Sequence, residues 1–126
     1  MRLATAALVA LTFFIVPAVA QQQPVSIFSG KLNTLGYCQI TNLAASTAIV
    51  TASCATGSVP ASFSALDLIV EAQAIRYETN GGTPTATVGM PLAVGTEKIF
   101  VLTNFANLRL IQQVAGAIVN LEFFGP

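Results

Sequence analysis

The sequence predicts an all-β domain, an antiparallel β-sandwich or small jelly-roll-like barrel of about seven or eight short strands, preceded by a signal peptide. Apolar and polar residues alternate over short segments, and turns containing Gly or Pro separate these segments. Residues 74–92 (AIRYETNGGTPTATVGMPL) combine a strand, a Gly turn and a second strand start bounded by Pro. Short strands separated by such turns are typical of β-sandwiches and small barrels.

The amino terminus has the features of a cleaved signal peptide at residues 1–20. A cationic start at Arg2 precedes an apolar run at residues 6–16, and residues 18–20 (AVA) form a small-residue site, so we expect cleavage after Ala20. The run is short for a spanning helix, which needs ~20 apolar residues. An uncleaved anchor and a mis-assigned start codon are the alternatives. Cleavage would place the protein in the periplasm, at the cell surface or outside the cell, without membrane attachment.

The charge balance argues against a nucleic-acid partner. The chain has five Lys or Arg residues, five Asp or Glu residues and no histidine, so its formal net charge is zero. It therefore offers no basic face to a phosphate backbone. Only 8% of the residues are charged, which favours a protein that associates with itself or joins a protein assembly. The alternative is a Thr- and Ala-rich β domain that is simply neutral.

We expect one domain in the chain that remains after cleavage. Residues 21–36 contain Pro and Gly with little periodicity and are interpreted as an irregular lead-in, with at most one short strand at residues 25–28. Residues 37–126 are interpreted as a single β-sandwich domain, which is long enough to bury one core.

The first two predicted strands, residues 37–42 and 47–54, contain the two cysteines. In a hairpin centred on Ser46, Cys38 and Cys54 are equally far from the turn and lie opposite each other. Facing Cα atoms in an antiparallel pair are ~4.5–5.5 Å apart, within disulfide reach. Export supplies an oxidising compartment, so we predict a Cys38–Cys54 disulfide. Two buried thiols are the alternative, and a redox role is disfavoured because catalytic dithiols use closer spacing such as CxxC.

The middle of the chain predicts strands joined by turns. Apolar and polar residues alternate over residues 66–78, which predicts the longest strand of the chain. The Asn-Gly-Gly run at residues 80–82 predicts a tight turn after it. Short strands are then predicted at residues 86–88, 90–94 and 98–103.

The carboxyl-terminal part is ambiguous, because apolar residues recur at helical spacing over residues 105–114. Strict alternation follows at residues 118–124. Two strands, at residues 107–113 and 117–124, folded about Ala115-Gly116, explain both patterns better than a helix does.

No residue pattern predicts catalysis, a metal site or a cofactor. Serine catalysis needs a base, and without histidine only Lys31 or Lys98 remains, at no suggestive spacing. Glu71 and Glu78 are seven positions apart on a predicted strand, so they project to opposite faces and cannot form an acid–base pair. The NGGT run lacks the helix and basic residue that follow a phosphate loop. We expect a non-enzymatic protein.

Five residues at one strand end and the turn after it form a candidate partner contact: Arg76, Tyr77, Glu78, Asn80 and Thr83. Aromatic and Arg residues are enriched at binding surfaces, and loop tips carry function more often than core strands do. The alternative is structural, because an aromatic residue on alternate strand positions is usually core and an Arg beside a Glu covers a sheet face.

Three runs carry a resemblance to a known group: residues 36–47 (GYCQITNLAAST), 75–95 (IRYETNGGTPTATVGMPLAVG) and 107–124 (NLRLIQQVAGAIVNLEFF). They resemble small proteins of tailed phages and prophages with a similar R-Y/W, acidic, P-T-A, G-M-x-L run and a closing strand that ends in two aromatics. The resemblance implies a compact β-sandwich virion accessory protein of heads or tails, with an assembly role and no catalytic residues to transfer.

The chain departs from that group in its apparent signal peptide and its cysteine pair, which suit an exported protein. A virion location follows only if the signal peptide is an artefact of the start site. The sequence therefore predicts a structural or interaction protein. The alternative is an exported binding module for a small ligand or glycan, with its site in the loops around residues 80–84.

Overall fold

The computed structural model describes residues 31–126, which fold as two antiparallel β-sheets. The signal peptide predicted at residues 1–20 and the short strand considered at residues 25–28 lie outside the described residues. Within residues 31–126, no helix combines the length and hydrophobicity needed to cross a membrane.

Nine strands build the described part of the chain: Asn33–Ile40 (β1), Thr47–Ala48 (β2), Thr56–Gly57 (β3), Ala65–Ala72 (β4), Ile75–Glu78 (β5), Met90–Leu92 (β6), Glu97–Phe100 (β7), Arg109–Gln112 (β8) and Ile118–Gly125 (β9). The large sheet has the strand order β3-β1-β9-β4-β7, and the small sheet has the order β2-β8-β5-β6. Short 3₁₀ turns lie at Thr51–Ser53 and Phe105–Asn107.

The all-β prediction is confirmed, and the two sheets remain separate over residues 31–126 rather than closing into a barrel. The strand count exceeds the expected seven or eight because two predicted strands are each replaced by two, while the strand predicted at residues 86–88 is absent. The predicted strand at residues 47–54 gives way to a 3₁₀ turn between β2 and β3, each two residues long. Strand β1 begins at Asn33, so the end of the predicted lead-in is already sheet.

One hydrophobic core lies between the sheets, because alternate residues of each strand point inward. Strand β9 contributes Val119, Leu121 and Phe123, all fully buried. Leu68 of β4 lies directly opposite Leu121, and Leu110 of β8 reaches the same core from the small sheet. Burying one such side chain contributes roughly 1.5–3 kcal/mol, so this layer provides most of the stabilisation.

The Cys38–Cys54 disulfide is present, but the hairpin from which it was predicted is wrong. Strand β1 pairs with β9 and β3, whereas β2 pairs with β8 in the small sheet. Cys54 instead returns to β1 after a 3₁₀ turn, where Ala55 N donates to Gln39 O at 2.7 Å. The two cysteine Cα atoms are 5.4 Å apart. The disulfide indicates an environment outside the reducing cytosol.

The predicted long strand at residues 66–78 is in fact two strands in different sheets. The chain turns at Gln73, whose φ of 53° lies in the left-handed region. Gln113 holds this corner: its backbone N donates to Ala74 O and its side-chain Nε2 donates to Ile75 O, each at 2.9 Å. Inward residues carry even numbers in β4 and odd numbers in β5, so the single strand predicted over residues 66–78 assigns Ile75 and Tyr77 to the wrong face.

The predicted terminal hairpin about Ala115-Gly116 is also wrong in its pairing. Both strands exist, as β8 and β9, and the helical alternative is limited to the 3₁₀ turn Phe105–Asn107. However, β8 pairs with β2 and β5 in the small sheet, whereas β9 lies between β1 and β4 in the large sheet. The turn around Gly116 therefore carries the chain from one sheet to the other.

Reduction of the disulfide is expected to lower the free energy of unfolding by roughly 3 kcal/mol, because the bond restricts the unfolded chain over a sequence separation of 16 residues. Urea unfolding with and without reductant measures this difference. Cys54→Ala is the control, since it should unfold at the lower urea midpoint with no further effect of reductant. Identical midpoints for the oxidised and reduced wild type would contradict the prediction.

Candidate functional site

Strand β5 carries three of the five predicted contact residues and separates them by face. Arg76 and Glu78 point away from the core and are half-buried, whereas Tyr77 points inward and is 8% exposed. Asn80 and Thr83 lie in the following loop, residues 79–89, and are exposed. The structure thus keeps four of these residues at the surface and places the fifth in the core.

The Arg76 side chain anchors the 79–89 loop. Its Nε donates to Ala86 O at 3.0 Å, and its Nη1 donates to Gly89 O at 2.7 Å. Gly89 has a φ of 113°, and a Cβ there would approach Tyr77 O to 3.1 Å, so a side chain would be strained at this position. The guanidinium is therefore occupied by backbone carbonyls of its own chain.

The loop joins β5 to its antiparallel neighbour β6, as predicted for a hairpin connection, but it contains two successive turns in place of the strand predicted at residues 86–88. In the first, Asn80 Oδ1 accepts from Gly82 N at 2.9 Å, and Gly81 N donates to Asn107 O at 3.1 Å. In the second, Thr85 Oγ1 accepts from Val88 N at 3.0 Å. Side-chain oxygens thus satisfy the backbone donors that a strand would have used in pairing.

Tyr77 is part of the core edge. Its ring meets Phe100 edge-on at a centroid distance of 5.1 Å, and Lys98 Nζ lies 5.7 Å from the Tyr77 centroid. The ammonium group also lies 5.6 Å from the Phe100 centroid. Lys98 therefore covers the open rim of the core with its stem and stays near two aromatic rings.

A cleft of about 410 Å³ opens beside this strand end. Its lining combines a carboxylate, a hydroxyl, an amide and a thioether: Tyr77, Glu78, Thr79, Asn80, Gly89 and Met90. Met90 is 60% exposed, so the cleft has one apolar wall and polar groups on the other side. The cleft adjoins the loop around residues 80–84 in which a ligand site is predicted.

A second surface, the acidic face, lies on the outside of the large sheet. Four of the chain's five carboxylates project there, interleaved with apolar and amide side chains: Tyr37, Asp67, Ile69, Glu71, Glu97, Ile99, Asn120 and Glu122. Asp67 lies directly opposite Glu122 on one side and Ile99 on the other. Among residues 31–126, no Lys or Arg occupies an outward position of β1, β9, β4 or β7.

Hydrogen bonds fix one half of the acidic face. Asn120 Oδ1 accepts from Tyr37 Oη at 2.7 Å and from Gln39 Nε2 at 3.0 Å, and Asn120 Nδ2 donates to Glu71 Oε2 at 2.7 Å. Thr34 Oγ1 donates to Glu122 Oε1 at 3.0 Å. The polar side chains of this face are thus ordered by one another.

Asp67 is the residue of the acidic face whose ionised form is disfavoured by its surroundings. Partial burial, contact with the Glu97 carboxyl and the negative charges of Glu97 and Glu122 raise the pKa of Asp67 from 3.8 to about 6, against a backbone hydrogen bond at Leu68 that lowers it. Its Oδ1 is buried without a hydrogen-bond partner among residues 31–126. A cation brought to this face would relieve the repulsion between these carboxylates.

The two carboxylates considered as an acid–base pair are not brought together by either surface. Glu71 and Glu78 lie on the outer faces of different sheets, so the structure provides no acid–base pair from them. Within residues 31–126, no group of His, Cys, Asp and Glu has a metal-binding arrangement. Sequence reasoning missed the acidic face, although the alternation within β4 and β9 already placed Asp67 and Glu122 outward.

Replacing Arg76 by Ala is expected to loosen the 79–89 loop, because both carbonyl bonds are lost. Two such bonds stabilise by about 1–2 kcal/mol in total, so the amides of residues 86–89 should exchange roughly tenfold faster. Hydrogen exchange followed by NMR measures this. Arg109→Ala removes the same side chain from the neighbouring strand and should leave these amides unchanged. If the amides of residues 86–89 exchange at the wild-type rate in R76A, the Arg76 side chain does not stabilise this loop.

Replacing Asp67 by Asn is expected to stabilise the fold at neutral pH. The raised pKa means that the folded state binds the Asp67 proton more tightly than the unfolded state, whose carboxyl titrates near 4. Wild-type stability should therefore fall as pH rises from about 4 to about 6, and this decrease should be smaller in D67N. Urea midpoints across pH measure both. Glu78→Gln, on the other sheet, should retain the wild-type decrease; a D67N profile parallel to wild type would refute the assignment.

Similarity to known proteins does not extend these observations. Searches against protein-family models, curated proteins and solved structures found no match for this chain. The functional conclusions therefore rest on the burial, contacts and charges of the chain's own residues.

Proposed function

We propose that this protein is an exported, non-enzymatic interaction module that associates with copies of itself or joins a protein assembly. The observation that carries the proposal is the number of large apolar side chains left exposed on a chain with few charges. Within residues 31–126, ten such residues are 42–62% exposed, among them Tyr37, Ile69 and Ile99 on the acidic face. A charge-poor surface with this much exposed apolar area favours association over isolation in solution.

The strand order supports an assembly role at the level of the fold. If the short edge strand β3 is set aside, the remaining strands follow the jelly-roll order β1-β9-β4-β7 and β2-β8-β5-β6. Double-sheet jelly rolls serve in capsid and lectin domains, so the architecture suits structural and binding roles alike. The resemblance of residues 75–95 and 107–124 to phage accessory proteins favours the structural role.

The disulfide and the amino-terminal sequence together support export. Structural disulfides persist in oxidising compartments, and the predicted signal peptide would bring the chain there. Cys38 is fully buried and Cys54 packs against the core, so the bond lies where it stabilises the fold rather than where a substrate reaches it. A virion location remains the alternative if residues 1–20 are not a functional signal.

The purified chain from residue 21 onward is expected to self-associate reversibly as its concentration rises. Sedimentation velocity over a hundredfold concentration range measures this. Combined replacement of Ile69 and Ile99 by Thr should weaken association by about tenfold or more, because half-exposed apolar area is lost at two positions. Val114→Thr is the matched control, since Val114 is 62% exposed in the turn before β9 and lies outside the sheet faces.

A strict monomer at every concentration would contradict self-association. Equal effects of the Val114 and Ile69/Ile99 changes would show that the large sheet's outer face is not involved.

The second candidate function is the binding of a small polar ligand or glycan. The observation that favours it is the cleft of about 410 Å³ lined by Glu78, Thr79, Asn80 and Met90. A panel of mono- and disaccharides tested by NMR chemical-shift perturbation would support this function if shifts cluster at these residues. Shifts absent or scattered over both sheets would count against it.

A further inference from the structure

We propose that copies of this chain stack in one direction, with the acidic face of one copy against the outer face of the small sheet of the next copy. The proposal rests on the self-association proposed above and names the two surfaces that meet. It follows from how the two sheets divide the charges of the chain.

The acidic face supplies one half of the contact. Asp67 and Glu122 are directly opposite on neighbouring strands, and Glu97 is diagonal to Asp67 across the next strand. Asp67 thus has a second carboxylate directly opposite it on one side and a third at the diagonal spacing of ~7–8 Å on the other. Ile69 and Ile99, 42% and 54% exposed, lie between them and supply apolar area.

The basic face, the outside of the small sheet, supplies the other half. Arg76 of β5 and Arg109 of β8 project outward there, with Ile111 opposite Arg76 and Glu78 opposite Arg109. The face therefore carries a net positive charge and an apolar residue. Both arginines are half-buried. Arg76 is held by its bonds to Ala86 O and Gly89 O, so it contributes its charge and its remaining N–H groups with little further loss of side-chain freedom on binding.

The spacing of charges on the two faces is compatible. Arg76 and Arg109 are diagonal neighbours on paired strands, which places their Cβ atoms ~7–8 Å apart. Asp67 and Glu97 are also diagonal neighbours on paired strands, with the same expected spacing. Two arginines can therefore lie over two carboxylates when one sheet packs on the other.

The opposite arrangement, acidic face against acidic face, would bring like charges together. Asp67 already faces Glu97 and Ile99 of β7 and Glu122 of β9, with Glu71 farther along its own strand. Tyr37 of β1 lies beyond Glu122, and Lys98 of β7 points to the core side, over Tyr77 and Phe100. No cation within residues 31–126 neutralises these carboxylates from the same face, so a second acidic face would add to the repulsion.

The proposal predicts a definite direction for the pH dependence. An arginine placed over Asp67 favours its ionised form, so stacking releases a proton from a carboxyl whose pKa is raised to about 6. Stacking should therefore strengthen as pH rises from about 5 to about 7 and weaken with added salt. Association of acidic face with acidic face would instead strengthen as pH falls.

Because the two faces differ, the contact is heterologous. A pair of stacked copies still has one acidic and one basic face free, so stacking continues into an open filament or closes into a ring. A mixture of two variants, each with one face disabled, distinguishes this arrangement from a symmetric dimer.

The experiment compares Arg109→Glu, which disables the basic face, with Asp67→Asn combined with Glu122→Gln, which disables the acidic face. Sedimentation velocity at pH 7.5 should show at least tenfold weaker self-association for each variant alone. Their equimolar mixture should form a complex that stops at one copy of each, because only one matched pair of faces remains. Glu78→Gln should strengthen association, because it removes the negative charge that lies opposite Arg109 on the basic face.

Self-association of R109E equal to that of wild type, a mixture that does not pair, or association that strengthens toward low pH would overturn the stacking arrangement while leaving self-association intact. A wild type that stays monomeric at every pH and salt concentration would instead overturn the self-association on which the arrangement rests. Thermal unfolding of each variant verifies that it is folded.

Discussion

The position of β9 in the large sheet is the constraint on which the rest of the structure depends. This strand pairs with β1 on one edge and with β4 on the other. Its inward residues, Val119, Leu121 and Phe123, form the middle of the core, and its outward residues, Asn120 and Glu122, lie in the middle of the acidic face. One pairing therefore determines both how the core is filled and how the surface charges are grouped.

Most of the strands could be predicted from the sequence, but their pairing could not. Alternation has a period of two in every strand, so it shows which residues point inward without showing which sheet the strand joins. At Gln73 the chain passes from one sheet to the other without a Gly or Pro, and the only local mark is that the inward positions change from even numbers in β4 to odd numbers in β5. Around Gly116 a turn typical of a hairpin likewise connects strands of different sheets. Tertiary packing decides between a hairpin and a corner, and that information is not local.

The candidate surfaces could likewise be predicted from the sequence only in part, because they depend on which strands are neighbours. The sequence predicts Arg76 as part of a partner contact, and the structure shows that its guanidinium holds the backbone of its own loop. The carboxylates of Asp67, Glu97 and Glu122 are far apart in the sequence and meet only because β7, β4 and β9 are neighbours. The Cys38–Cys54 bond is predicted correctly from a wrong strand pairing. A hairpin and a loop that returns to β1 both bring the two cysteines within disulfide distance, so the bond does not depend on which of them forms.

The neighbouring position of β1 and β9 also determines the order in which the chain can fold. These strands lie near opposite ends of the described residues. The large sheet therefore lacks its central strand until residues 118–125 are available. Long-range pairing of this kind forms late, whereas Cys38 and Cys54, 16 positions apart, can meet early. A chain that emerges from its amino terminus, whether from a ribosome or through a membrane, therefore lacks its core until its last strand arrives.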